Sequence, residues 1–232
     1  MLLFYIRHGD PVYDPDSLTP LGERQAEAIA KRLAFFGIDE IYASTSNRAQ
    51  LTAKPTSELL KKEIKLLDFC NESHVWNEFA IDDGNGYGWV FSKPQFRRLM
   101  AGAEVAMLGD RWYEYPEFQK YKFKDGVQRV NRELDGFIAG LGYEHDREQK
   151  VYRAVSPNDK RVALFAHQGF GISFLSSLLD IPYPLIANHF DICHSSMTVI
   201  EFYDEDGTVI PKALSVSNDS HIYREEIGRA HV

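Results

Sequence analysis

Two histidines, each followed closely by glycine, stand directly after short apolar runs: Arg7-His8-Gly9 after residues 2–6, and His167-Gln168-Gly169 after residues 162–166. Apolar runs of this length that stop at a polar, glycine-bearing loop read as buried strands ending at a functional loop. A third candidate strand, residues 40–43, leads to Arg48. In open α/β sheets ligands bind at the carboxyl ends of the strands, so the pattern predicts two histidines and two arginines converging on one crevice. Such a crevice suits a dianion, because a guanidinium fork matches phosphate oxygens in a bidentate way. Phosphate is therefore the expected ligand. Gly9 and Gly169 would let the backbone approach it closely, and a helix starting after each loop would add N–H donors and a positive dipole end.

The elements that must position these groups are legible from spacing. From Thr19, a Thr-Pro-Leu-Gly-Glu start precedes Ala26, Ile29, Ala30 and Leu33, which share one helical face, and Gly37 supplies a stop. Ser44-Thr45-Ser46-Asn47 offers N-cap chemistry for a helix running toward Lys62, with a kink expected at Pro55. Residues 64–67 form another short strand candidate. The stretch from there to about Tyr121 is rich in Gly, Trp, Tyr and Phe without steady periodicity and reads as an insertion or lid. Residues 126–141 return to helical spacing, and 169–179 read as a helix closed near Pro182. Residues 197–203, the Asp204-Glu205-Asp206-Gly207 turn and residues 208–210 read as a hairpin. Strands alternating with helices predict a three-layer α/β/α architecture around a mostly parallel sheet, with an inserted, partly helical cap segment at about 70–125. The last residues, Gly-Arg-Ala-His-Val, read as a loose tail.

Composition narrows the class. At 232 residues the chain fits one domain, 1–232, carrying that insertion. It has 44% hydrophobic and 26% charged residues, and no apolar run approaches the roughly 20 residues that cross a bilayer. The start, MLLFYIRHGDP, lacks the basic region and long apolar core of a signal peptide and reads as a strand. The two cysteines, Cys70 and Cys193, make neither a disulfide framework nor a CxxC ligand pair, which favours a reducing cytoplasm. A formal charge of −8 argues against a broad nucleic-acid footprint while leaving room for a small cationic pocket.

Arg7-His8-Gly9, then Leu18-Thr19-Pro20-Leu21-Gly22 with Gln25-Ala26, then Ser46-Asn47-Arg48-Ala49 with Thr52-Ala53, then His167-Gln168-Gly169 occur in an order that strongly resembles the histidine phosphatase superfamily, also called phosphoglycerate mutase-like. The resemblance covers the chain to about residue 60 and again from about 160 to 200. It implies that His8 is a nucleophile that attacks phosphorus in line and is transiently phosphorylated, with no metal or other cofactor. It further implies that Arg7, Arg48 and His167 bind the non-bridging oxygens, with Gly9, Gln168 and His194 as neighbouring substrate contacts. The family takes the leaving-group proton from a carboxylic acid shortly after the strand that residues 64–67 would form here. Glu72, in Asp-Phe-Cys-Asn-Glu, and Glu78, in Trp-Asn-Glu-Phe, both qualify. Glu72 lies closer to the strand end, and Asp10 and Asp82 are more distant candidates.

The unmatched middle is where substrate choice is expected. Trp76, Tyr87, Trp89, Phe91, Trp112, Tyr113 and Tyr115 could line the crevice, although an aromatic-rich insertion more often packs as its own core. Arg97 and Arg98 fit a solvated helix face better than a second anion site. His74, His145, His189, His221 and His231 show no paired-ligand spacing and read as surface or hydrogen-bonded core residues. Three functions remain open: a phosphatase acting on a small phosphorylated metabolite, a phosphoglycerate mutase-type phosphotransferase, and a non-catalytic phospholigand-binding protein. The mutases carry a longer segment after Arg-His-Gly, whereas here Asp10-Pro11-Val12-Tyr13 leads quickly to Leu18-Thr19-Pro20, as in the phosphatase branch. The exposed aromatics are compatible with an oligomer face as well as with a lid.

Overall fold

A computed structural model of the chain describes residues 1–225 and 227; the tail 228–232, with His231, lies outside the described residues. In chain order the strands are β1 (Leu2–Arg7), β2 (Pro11–Tyr13), β3 (Asp16–Leu18), β4 (Glu40–Ser44), β5 (Ile64–Leu67), β6 (Ala80–Asp82), β7 (Tyr87–Trp89), β8 (Tyr143–Asp146), β9 (Val151–Ala154), β10 (Arg161–Ala166), β11 (Met197–Glu201), β12 (Thr208–Val209) and β13 (Lys212–Asn218). The helices are α1 (Pro20–Phe36), α2 (Asn47–Leu60), α3 (Glu72–Phe79), α4 (Pro94–Met100), α5 (Ala103–Leu108), α6 (Phe123–Gly140), α7 (Gln168–Leu179), α8 (Tyr183–His189) and α9 (Ser220–Arg224).

The central sheet runs β13-β11-β1-β10-β4-β5. Its β1, β10, β4 and β5 pair in parallel, while β11 pairs antiparallel with both β1 and β13. Because successive strand residues point to opposite faces, β1 feeds two cores. Leu3 and Tyr5 pack with Phe170, Phe174 and the aromatic residues of the middle segment, whereas Phe4 and Ile6 pack with Ile29 and Leu33 of α1 and Ala53 of α2. Burial on both faces explains why β1 and β10 read as continuous apolar runs rather than alternating ones. The result is the α/β/α layering expected from the alternation of elements.

Helix starts and stops follow their caps. The Thr19 side chain accepts from the Gly22 N–H at 3.1 Å, Pro20 occupies the first turn, and Gly37 closes α1 with φ of +70°. Pro55 sits inside α2 without ending it. Between β5 and α6, Val75, Phe79, Val90, Phe96, Trp112 and Phe118 all join the buried cluster of the α6/α7 face.

The expected hairpin of residues 197–203 with 208–210 does not form. The local turn closes only the Glu205–Thr208 bridge. The seven-residue run β13 offers β11 more backbone to pair with, and β12 joins β9 and β8 in a separate sheet. His145, on β8, is a hydrogen-bonded core residue, its two ring nitrogens each 2.9 Å from Asp135 and Asp180. Burial opposes its protonation, but the hydrogen bonds to the two carboxylates win and hold it above its ordinary value.

The β1 loop and the start of α1 meet backbone to backbone: a Cβ on Gly22 would lie 2.2 Å from the Asp10 carbonyl oxygen and 2.9 Å from the Asp10 nitrogen. Neither atom belongs to a flexible side chain, so Gly22→Ala is expected to destabilise by about 2 kcal/mol. That corresponds to a fall in Tm of roughly 4–8 °C for a chain of this size, measurable by calorimetry.

Candidate active site

Three adjacent parallel strands, β1, β10 and β4, end side by side, so the residues that follow them share one sheet edge. The His8 N–H donates to the Ala166 carbonyl at 3.0 Å and its own carbonyl accepts from the Ser195 N–H at 3.0 Å, clamping this residue's backbone from both sides. His8 Nδ1 lies 2.7 Å from the Gly9 carbonyl, which can only accept, so the proton sits on Nδ1 and Nε2 carries the lone pair. Burial first, then His167 and Arg7, hold the ring well below its usual value of 6.5. His8 is thus a neutral, oriented imidazole whose Nε2 lies 3.3 Å from the Arg48 Nε donor.

A cavity of about 710 Å³ opens at this edge, lined among others by Arg7, His8, Arg48 and Glu72. Arg7 donates through Nη1 to the Ile192 carbonyl and through Nη2 to His194 Nε2, both at 2.6 Å. Its Nε is buried with no hydrogen-bond partner among the described residues. Arg48 donates to Asp16 Oδ1 at 2.8 Å and to His167 Nδ1 at 3.2 Å, and its guanidinium lies 5.4 Å from the centre of the Tyr13 ring.

His167 sits immediately behind this wall and is fully buried. The Tyr5 hydroxyl donates to its carbonyl at 2.5 Å and accepts from its N–H at 3.1 Å. Since Arg48 donates to Nδ1, the ring proton is on Nε2, facing Ser44 Oγ at 2.8 Å. Burial, then Arg48 and Arg7, keep His167 neutral.

Glu72 and Glu78 separate cleanly. Asn71 caps α3 by accepting from the Ser73 N–H at 3.0 Å. At about 100° per residue, Glu72 and Trp76 then share a face while Glu78 points about 120° away. Glu72 lines the cavity and accepts from the Gly169 N–H at 2.9 Å and the Phe170 N–H at 3.2 Å. Burial raises its carboxyl above the usual 4.5, although those two N–H groups, Arg7 and Arg48 pull the other way. Glu78 instead forms a two-pronged ion pair with Arg129, both contacts at 2.7 Å, and is no part of the cavity lining. Asp10 accepts from the Thr19 hydroxyl at 2.6 Å, and Asp82 from the Gly84 N–H.

The glycines act differently from the sequence expectation. The Gly9 N–H is taken by Thr52 Oγ1 at 3.0 Å, and a Cβ there would lie 2.6 Å from the Gly22 carbonyl oxygen. Gly9 therefore serves close packing against α1 and orients His8, and it is not among the residues lining the cavity. The helix N-termini are likewise engaged: Glu72 takes the first N–H groups of α7, and Asp16 accepts from the Asn47 N–H at 2.7 Å. Gln168 lines the cavity with its amide bonded to Asp191. His194 stands outside the lining and bears on Arg7; burial first, then Arg7, lowers it to about 4, so it accepts from Arg7 as a neutral ring.

Residues 3–78 match the family model of the histidine phosphatase superfamily (branch 1). That match takes in about the first third of the chain, where the chain is similar to this superfamily. No curated protein is significantly similar to it in sequence. Several solved structures share the fold of this chain. The phosphoserine phosphatase of Entamoeba histolytica in complex with 3-phosphoglyceric acid is 18% identical, with 95% of this chain and 98% of that one covered at a TM-score of 0.61. A mycobacterial glucosyl-3-phosphoglycerate phosphatase is 20% identical, with 93% and 97% covered at 0.58. A second mycobacterial hydrolase is 19% identical, with 99% and 98% covered at 0.60. At these identities the likeness speaks to fold.

Asp16, Tyr13, Ser44 and Asn71 also bear on the site, and the sequence pattern did not single them out for it. Only the compression of residues 10–18 into a short β2–β3 hairpin hinted that Tyr13 and Asp16 would fold back over Arg48. Asp16 also accepts from the Asn47 N–H, so it fixes both the start of α2 and the Arg48 fork. Asp16→Ala is expected to lower kcat/KM about tenfold, mainly through KM, by loosening a phosphate clamp without removing it. Steady-state kinetics on one phosphate monoester would check this.

Proposed function

We propose that the chain is a phosphatase that hydrolyses a small phosphate monoester through a phosphohistidine on His8. The observation that carries this reading is the pairing, at one cavity, of a neutral His8 whose unprotonated Nε2 is turned to Arg48 and a carboxyl group, Glu72, that burial raises above its usual value. The phosphoryl group binds between Arg7 and Arg48, while His167 behind the wall accepts from Arg48 and holds that guanidinium in place. His8 Nε2 forms a bond to phosphorus as the bond to the leaving oxygen breaks, and Glu72 gives its proton to that oxygen. Water then attacks phosphorus, Glu72 takes the water's proton, and the Nε2–P bond breaks to release inorganic phosphate. The two guanidinium groups are in place before charge develops, so their stabilisation requires no reorganisation.

Among the described residues no group of three or more His, Cys, Asp or Glu side chains is placed to hold a metal ion. In the same reading the chain is one unit, the segment between β5 and α6 caps the site, and the partner is a small phosphorylated metabolite rather than nucleic acid. No described helix is long and apolar enough to cross a membrane. The Cys70 thiol, pushed up to about 12 by burial, is chemically quiet, which agrees with a cytoplasmic setting. The test is phosphate release from p-nitrophenyl phosphate and a panel of alkyl phosphates in the presence of a chelator. Turnover is expected for several of them; no turnover of any ester would overturn the reading in favour of a phospholigand-binding protein.

A further inference from the structure

Away from the phosphate end the cavity wall changes chemistry. Arg7 and Arg48 are the only lysine or arginine side chains that line it among the described residues, and both converge on the His8 end. Arg97, which might have met a second anion, is held at the Asn188 carbonyl, and Arg129 is tied to Glu78. The acid that lines the cavity besides Glu72 is Asp16, already paired with Arg48. The rest of the wall includes Trp76, Trp89 and Tyr13, interleaved with the neutral Asn71, Ser73 and Gln168.

This aromatic wall is built rigidly. Trp76 and Trp89 meet edge to face, centroids 4.7 Å apart at 90°, and Trp89 is backed by Phe91 at 5.3 Å and 15°. The β6–β7 hairpin that carries Trp89 is tied by Lys93, which pairs with Asp83 at 3.0 Å and also donates to the Gly86 carbonyl. A Cβ on Gly169 would lie 2.4 Å from the Trp89 ring, so the absence of a side chain there seats the indole directly on the first turn of α7. Trp76 rises one helical turn after Glu72, on the same face of α3. A fixed indole surface beside a proton donor binds a flat neutral group at little entropic cost. A second anion there would find no unengaged cation and would face Asp16.

We infer that the leaving alcohol carries an uncharged ring that stacks on the Trp76–Trp89 wall, and that esters with a second negative charge are disfavoured; this rests on the phosphatase reading. The experiment compares kcat/KM for three esters of primary alcohols: 2-phenylethyl phosphate, 3-(phosphonooxy)propionate and ethyl phosphate. The ring ester is expected to exceed the carboxylate ester roughly 100-fold. Its advantage over ethyl phosphate is expected to fall about tenfold in Trp76→Leu, a ratio that a general loss of folded enzyme does not move. A carboxylate ester hydrolysed as well as the ring ester, or a ratio unchanged in Trp76→Leu, would overturn the inference while leaving the phosphatase reading intact. If no ester is hydrolysed, that reading fails by itself, and calorimetric binding of the ring and carboxylate esters to the wild-type protein decides this one. Tighter binding of the ring ester supports it, and equal or weaker binding overturns it.

Discussion

His8→Ala is expected to lower kcat by about 10⁴-fold or more on every ester the wild type hydrolyses, because it removes the atom that bonds to phosphorus. The fold should survive the change. The contacts that hold this residue, to the Ala166 carbonyl and from the Ser195 N–H, are main-chain bonds that alanine keeps. The decisive companion measurement is a rapid quench of the wild type into base, followed by mass spectrometry. A phosphate adduct on the peptide carrying His8, stable in base and lost in acid, is the expected result. Retained turnover in His8→Ala, or an adduct on another residue, would remove His8 from the nucleophile's role.

Glu72→Gln should cost roughly 10²–10³-fold in kcat/KM on alkyl phosphates, whose leaving oxygen needs a proton, and far less on p-nitrophenyl phosphate, whose leaving group departs as a stable anion. The pH profile gives the sharper test. In the proposed reaction Glu72 enters protonated, and burial raises its carboxyl above 4.5, so the wild-type rate on alkyl phosphates is expected to fall as pH rises through that raised value. His8 must be neutral and is held well below 6.5, so its loss of activity lies on the acid side. In Glu72→Gln the alkaline fall should vanish while the acid limb stays. The variant also carries an amide nitrogen with no lone pair for one of the two N–H groups that Glu72 accepts, from Gly169 and Phe170. A loss of about 1–2 kcal/mol in stability is expected from that mismatch. Glu78→Gln, which weakens the ion pair with Arg129 outside the cavity, should leave the alkaline limb in place.

How much of the molecule could be read without its coordinates depends on how local each signal is. The β1 and β10 runs announce themselves because both faces of a central parallel strand are buried, and the ends of those runs place His8 and His167 on one edge. The start and stop of α1 follow from Thr19, Pro20 and Gly37 acting on their own backbone neighbours. The β11 partner was misread because the Asp204–Gly207 turn is a strong local signal, whereas the pairing of Val199 with Ser215 is decided by the sheet edge. The α3 helix was hidden because its eight residues are too few for periodicity to stand out in an aromatic-rich segment.

Residue types and order by themselves pointed to two histidines and two arginines after strand ends and to a dianion as their ligand, while the carboxylic acid came from the family resemblance. Those statements depend on covalent functional groups and on short-range backbone preferences, which the sequence carries directly. Only the tertiary structure decided which glutamate faces the cavity, since α3 must be placed before a 120° difference between Glu72 and Glu78 has meaning. It alone showed that a side chain on Gly9 would meet Gly22 and one on Gly169 would meet Trp89. It alone gave His8 its neutral, oriented state, because burial and the fields of Arg7 and His167 arise between segments more than a hundred residues apart.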